Sequence, residues 1–308
     1  MTRSPRIGVS MSSSHAVGDP AEGARRMIER AAAASRSGLD FLSVGDQHAT
    51  ASPYYQNVPM MGRLLAEWDD RPAGLLFLLP LWHPVLLAEQ VGTLAALQRG
   101  TVIVQTGLGG GETQFAAMGR SLRNRVGDFE ECFRVASALL AGETVDSERF
   151  GIVGARISPV PDQEIEWWMG AGVPRAMERA ARLSPDFYAG PGHDLEGSKE
   201  VLGMYLRAAE KVGSRPRRLV LRKDVLVAGD DDLARRVAEP VIASGYRGFP
   251  PEALVVGSPA RVAEELAAYV ELGYTDIAVR QLPVDQALAV RSLELLGEVR
   301  RELRGGSD

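Results

Sequence analysis

Short continuous apolar runs recur along the chain, and each is followed by a longer stretch whose apolar positions lie three and four residues apart. These are the patterns of a buried strand and of an amphipathic helix. "RIGVSM" leads to "DPAEGARRMIERAAAASRSG", where Asp19 suits the helix cap, Pro20 its first position and Gly38 its end. "DFLSVG" leads through a long connection to "VPMMGRLLAEW", "GLLFLLP" to "HPVLLAEQVGTLAALQRG", and "TVIVQTGLG" to "SLRNRVGDFEECFRVASALLAG". After an irregular stretch, "EIEWWMGAG" leads to "VPRAMERAARL" and "DFYAG" to "DLEGSKEVLGMYLRAAEKVG". "RLVLRKDVLVA" then leads to "DDLARRVAEPVIASG", and "YTDIAVRQL" to "PVDQALAVRSLELLGEVRREL", which completes eight strand-then-helix units.

Strict alternation of this kind predicts a parallel sheet flanked by helices, and near-continuous apolar strands predict that both faces are covered. Eight units, with no G-x-G-x-x-G turn after the first strand, favour a closed (β/α)8 TIM barrel over an open doubly wound sheet. The whole chain, 1–308, is expected to form that single domain. Gln47 to Met60 and Glu143 to Glu164 exceed ordinary connections. Both are expected to lie as long loops over the carboxyl-end mouth of the barrel.

Composition narrows the function. With 45% hydrophobic and 24% charged residues the chain can bury a real core. A net charge of -5 with interspersed basic and acidic residues leaves no electrostatic footprint for nucleic acid or an anionic membrane. A small-molecule substrate is therefore the expected partner. The amino terminus lacks the apolar region of a signal peptide, and no segment is uninterruptedly apolar over the ~18 residues of a membrane span. A cytoplasmic location is expected. The single cysteine, Cys132, sits at helical spacing from Phe129, Phe133 and Leu139, which reads as core packing. No His-x-His or His-Glu-x-x-His spacing suggests a metal, and no G-x-S-x-G elbow suggests a serine hydrolase.

In such a barrel the chemistry is carried by the carboxyl ends of the strands. Those ends supply Ser10, Ser12, Ser13 and His15 from the first, then Asp46, Gln47 and His48, then Trp82 and His83. The fourth supplies Gln105, Thr106 and a glycine-rich turn, the fifth Gly170 and Gly172, and the eighth Arg280 and Gln281. His48 is the candidate general acid or base, beside a carboxylate able to orient it. Arg280 is a candidate ligand for an anion or a carbonyl. Tyr54, Tyr55, Trp82, Trp167 and Trp168 offer aromatic area suited to a planar ring or an apolar substrate.

"GLDFLSVGDQH", "LPLWHPVLLAEQVGTLAALQRG", "VQTGLGGGETQFAAMG" and "EWWMGAGVPRAMERAARLSPDFY" together resemble the bacterial luciferase-like oxidoreductases, in order and spacing along nearly the whole chain. The resemblance implies a (β/α)8 barrel that binds reduced flavin mononucleotide (FMN) or the deazaflavin coenzyme F-420, usually as a homodimer. It also implies a monooxygenase or, alternatively, a deazaflavin-dependent reductase or dehydrogenase that transfers hydride. By the same resemblance, Gly170, Ala171, Gly172 and Val173 form the cofactor phosphate turn, and Gly107, Leu108 and Gly109 the turn beside the cofactor. Leu75 and Leu76 fall nearest the position where the family carries a non-prolyl cis peptide bond behind the cofactor ring.

One departure stands out. Many members read acid-His-His after the second strand, whereas this chain reads Asp46, Gln47, His48. Gln47 hydrogen-bonds but cannot transfer a proton, so either His48 takes that role or the chemistry needs no histidine base. The row is expected to form one wall of the substrate cavity. A non-catalytic flavin-binding relative and a hydrolytic barrel without flavin are the readings from other classes.

Overall fold

A computed structural model describes residues 4–305. In chain order the elements are β1 (Arg6–Met11), α1 (Pro20–Arg36), β2 (Leu42–Val44), α2 (Asn57–Leu64), β3 (Ala73–Leu78), α3 (Pro84–Leu97), β4 (Val102–Gly107), α4 (Glu112–Ala117) and α5 (Arg125–Leu140). There follow β5 (Val145–Ser147), β6 (Ile152–Ala155), β7 (Ile165–Gly170), α6 (Pro174–Leu183), β8 (Asp186–Ala189), α7 (Leu195–Lys211) and β9 (Arg218–Val227). The chain ends with α8 (Asp231–Ala243), β10 (Leu254–Gly257), α9 (Pro259–Glu271), β11 (Asp276–Gln281) and α10 (Gln286–Leu303).

All eight expected units are present, and their punctuation is chemical. At the start of α1 the Ala21 amide donates to Asp19 Oδ1 at 2.9 Å, Pro20 takes the first position, and Gly38 beyond the end has φ +72°. The pairing of β8 with β9 closes a nine-stranded sheet into a (β/α)8 barrel, with β10 added beside β9. No helix among the described residues is long and apolar enough to cross a membrane.

The chain divides into two compact units. The first holds the described residues up to Ser12, Arg25–Ser43 and those from Trp168 onward. Here β1 runs parallel to β11 (Arg6↔Asp276 to Val9↔Val279), and β9 is parallel to β8, β10 and β11. A buried charge is paired here: Arg6 binds the fully buried Asp276, and its guanidinium stands 5.8 Å from the Phe41 ring centre and 5.9 Å from that of Trp168. A buried ion of this kind is tolerated because the carboxylate is paired and the cation lies against aromatic faces.

The second unit holds Ser13–Ala24 and Val44–Trp167. In it β3 and β4 pair in parallel from Ala73↔Val102 to Leu78↔Gly107, with α3 and α5 packed together. Cys132 is buried on α5 with Phe129 and Leu139, and burial pushes its thiol pKa up, so it is packing rather than a nucleophile.

The two long connections behave differently. The stretch after β2 stays at the strand's carboxyl end: the Tyr55 amide donates to Ser13 O at 2.8 Å, Ser14 bridges Tyr54, and Gln56 Nε2 donates to Gln47 O at 3.0 Å. The stretch before β7 is instead an antiparallel β5–β6 hairpin laid along α5. Its Ser147 hydroxyl donates to Glu131 at 2.6 Å and Arg149 to Asp128 at 2.6 Å, and Gln163 then donates to the carbonyls of Ala95 and Gln98 at the end of α3. A connection from helix to strand must return to the strand's amino end, so it cannot stay over the mouth. Beyond expectation are β10 and α9, the latter capped by Ser258 with Pro259 in its first turn.

Candidate active site

At the end of β2 the backbone must pass close to Tyr54, because a Cβ on Gly45 would stand 2.7 Å from the Tyr54 hydroxyl. Asp46 follows, 5% exposed. Its Oδ2 accepts from the Leu78 amide and from Trp82 Nε1, both at 2.8 Å, and so ties the end of β2 to the last residue of β3. Its Oδ1 faces His48 Nε2 at 3.1 Å without hydrogen-bond alignment. The imidazole packs edge-on to Trp82 at 5.4 Å, and Trp82 packs edge-on to Phe77 at 4.9 Å.

Around the ends of β1 and β2, three buried polar atoms have no hydrogen-bond partner among the described residues: Ser13 Oγ, Asp46 Oδ1 and His48 Nε2. Leaving such an atom unpaired costs on the order of 1–3 kcal/mol. Their presence at a strand end marks a place built to meet something else. The arrangement sets the His48 ring against the Asp46 carboxylate, with Nε2 at 3.1 Å from Oδ1. Gln47 is exposed and bonds the protein through its carbonyl, while the His48 carbonyl accepts from Gln114 Nε2 at 3.1 Å. Gln114 was not legible as a site residue: nothing in the α4 sequence marks it.

The turn after β4 is shaped by close contact. A Cβ on Gly107 would lie 2.8 Å from Leu78 Cδ2 and 3.5 Å from Leu76 Cδ1, and Gly109 has φ +68° against the Phe115 ring. Leu76 thus shares a side with Gly107, in an apolar cluster of Leu78, Leu81 and Phe115. Leu75, its neighbour, points to the opposite face of β3. The cis bond expected near Leu75 and Leu76 is absent. Both residues sit in regular parallel register with Val104 and Gln105, and the one cis peptide among the described residues is Ser158–Pro159.

In the first unit, β7 ends in Gly170, Ala171, Gly172 and Val173, and α6 starts at Pro174. Val173 is an extended cap with no side-chain hydrogen bond, and nothing lies within 4 Å of a Cβ on Gly172. The first-turn amides of α6 are thus left without a cap, with Arg175 and no acidic residue among them. Orphan amides at the positive end of a helix, reached across open glycine, fit a phosphate group.

Arg280 stands on β11 in register with Asp224 of β9. Its Nη2 donates to Ser12 Oγ at 3.2 Å. Asp224, fully buried, accepts from Arg222 Nε at 2.9 Å and Nη2 at 2.8 Å, and from the Tyr246 hydroxyl at 2.9 Å. Arg222, Asp224 and Tyr246 form a bonded cluster beside Arg280 that strand patterning passes over. The available signal was the charged triplet Arg222, Lys223, Asp224 inside an apolar strand, where solvation cost argues against placing charge without a purpose. Among the described residues no group of three or more His, Cys, Asp or Glu is arranged to hold a metal ion.

Residues 5–253 match the family model described as luciferase-like monooxygenase. The chain belongs to the luciferase-like monooxygenase family. It is similar to the F420-dependent glucose-6-phosphate dehydrogenase of Beutenbergia cavernae, 25% identical over 307 residues that cover 85% of this chain and 89% of the relative. Two solved structures are of like fold. The oxygenating constituent of 3,6-diketocamphane monooxygenase from the CAM plasmid of Pseudomonas putida, a type II Baeyer–Villiger monooxygenase in complex with FMN, superposes with a TM-score of 0.78 at 18% identity, covering 97% of this chain and 99% of that one. An F420-dependent secondary alcohol dehydrogenase in complex with an F420-acetone adduct gives 0.76 at 16% identity, covering 96% and 99%. The luciferase-like barrel thus accounts for the eight units.

Proposed function

We propose that the chain is an oxidoreductase of the luciferase-like class that uses FMN or coenzyme F-420, and that it acts as a monooxygenase on a small organic substrate. The observation that carries this reading is the set of buried polar atoms without a hydrogen bond after β1 and β2: Ser13 Oγ, and Asp46 Oδ1 facing His48 Nε2 at 3.1 Å. The Gly170 to Val173 turn and the first amides of α6 hold the cofactor phosphate. Gly107, Leu108 and Gly109, with Leu76 and the backbone of Leu75, offer the cofactor ring an apolar surface. When bound, the reduced cofactor supplies the electrons of the reaction.

His48 takes or returns the proton, Asp46 orients it and balances its charge, and Gln47 hydrogen-bonds substrate or cofactor through its exposed amide. Arg280 binds an electron-rich group of the substrate. The second reading, hydride exchange with F-420, is favoured by the dehydrogenase activity named for the Beutenbergia cavernae relative. The protein is further proposed to work in the cytoplasm as a single-barrel protomer of a homodimer. Leu86 and Leu97, three turns apart on α3 and 52% and 62% exposed, support an apolar face for the partner copy.

Titrating purified protein with oxidised and reduced FMN and with F-420, followed by absorbance and fluorescence, tests the assignment. Tight binding of one, with turnover once a reductant is supplied, is expected. Binding without turnover would leave a flavin-binding relative, and binding of neither would sink the oxidoreductase reading.

A further inference from the structure

Arg280, in register with Asp224 on the neighbouring strand, feels the charges of two further guanidinium groups of the first unit, Arg222 and Arg247. One carboxylate, Asp224, stands among them, and it is already used. Arg222 grips both of its oxygens and Tyr246 donates to one of them. Arg280 is left with the neutral Ser12 hydroxyl at 3.2 Å. Burial first, and then the charges of Arg222 and Arg247, push the Arg280 pKa down. The local account is three positive charges against one negative, in a setting where a cation without a counter-charge is costly.

The segment after α8 supplies a second, independent observation. Gly245, Arg247 and Gly248 have φ of +71°, +53° and +70°, and a left-handed backbone is rare for a residue with a side chain such as Arg247. The turn is closed by Gly248 N to Gly245 O and Phe249 N to Tyr246 O, both at 3.0 Å. The Phe249 ring lies 5.6 Å from the Arg247 guanidinium and edge-on to Tyr246 at 6.1 Å. An uncommon conformation is thus held in a turn whose two polar side chains both bear on the cluster: Tyr246 on Asp224, exposed Arg247 on the field at Arg280. Strain kept in place by its surroundings is a mark of use.

We propose that Arg280, flanked by Arg222 and Arg247, is an oxyanion-recognition site that receives a carboxylate or phosphoryl group carried by the substrate. Arg280, whose one described hydrogen bond is to the neutral Ser12 hydroxyl, presents a planar guanidinium suited to an oxyanion, Arg222 is pinned by Asp224 as a fixed positive wall, and Arg247 at the rim draws the anion in. This names the substrate class of the oxidoreductase proposed above and rests on that reading for the word substrate, although the anion site itself does not.

Calorimetric titration of the full chain with inorganic phosphate, and separately with benzoate, tests it. Two phosphate sites are expected in the free protein, one at the α6 turn and one at Arg280. Arg280→Gln abolishes the second, Arg247→Gln weakens it three- to tenfold while sparing the fold because the side chain is exposed, and Gly172→Asp abolishes only the first. Benzoate binding with the same Arg280 dependence indicates a carboxylate substrate, and phosphate alone a phosphoryl one. The proposal is overturned if Arg280→Gln and Arg247→Gln leave every anion affinity unchanged. It is equally overturned if saturation with FMN or F-420 eliminates the Arg280-dependent site, which would assign that anion to the cofactor. If neither cofactor binds while the Arg280 dependence persists, the anion site stands and the oxidoreductase reading falls.

Discussion

Asp46 divides its two oxygens between different tasks, and substitutions separate them. Asp46→Ala leaves the Leu78 amide and the Trp82 indole N–H without an acceptor in a buried site. A loss of about 3 kcal/mol in folding stability is expected from the cost of orphaned donors, read by urea denaturation. His48→Gln removes the proton carrier but spares that clamp. Turnover should fall by roughly 100-fold or more, the scale of a lost general acid or base, with cofactor affinity and melting temperature held. A His48→Gln enzyme with full turnover would retire the histidine from the mechanism. Asp46 and His48 were legible because polar residues directly after an apolar run break the pattern. Arg222 and Asp224 were not, because their charges cancel only through a three-dimensional pairing that a strand's apolar average conceals.

At the scale of elements, local signals carried α1, whose cap, proline and terminal glycine all sit where they act. They failed between α8 and β11. A four-residue strand, β10, gains its hydrogen bonds only from β9, and such pairing leaves little trace in local periodicity. The β5–β6 hairpin was hidden for a like reason, since its support is side-chain bonding to α5 rather than an apolar pattern. The segment that follows it rests on α3 at one tight point: a Cβ on Gly92 would stand 2.4 Å from Pro159 O. Gly92→Ala is therefore expected to destabilise by about 1–3 kcal/mol through overpacking and to hasten proteolysis between residues 156 and 163. Unchanged cleavage and melting would mean the two elements part freely.

Across the whole molecule, pH should act through a buried lysine to which no step of the proposed chemistry is assigned. Lys223, fully buried, donates to His193 O at 2.8 Å and lies 4.7 Å from the Tyr269 ring centre. Burial lowers its pKa from 10.5 to about 8 despite Glu265, Asp224 and Asp194 nearby. The folded state thus holds this proton less tightly than the unfolded chain. The cost is complete below about pH 8 and is relieved as pH rises from there toward 10.5. At ~1.36 kcal/mol per unit, that gap amounts to about 3 kcal/mol. Lys223→Met should raise stability at pH 7 by up to that amount and flatten the rise between pH 8 and 10, as measured by chemical denaturation. An identical pH profile in the variant would assign the dependence to another group.

Gln47 sits between two residues that the fold constrains, yet its own side chain is exposed, and its one described bond is made by its backbone carbonyl. Folding therefore places almost no selection on that position, whereas Asp46 is held by two hydrogen bonds. A lineage can exchange the residue at 47 at nearly no structural cost and so retune reactivity without rebuilding the scaffold. Gln47→His, which restores acid-His-His, is accordingly expected to melt as the parent does, within about 0.5 kcal/mol of it as surface substitutions usually do. Any change in turnover or substrate preference would then be a direct reading of what the second imidazole contributes.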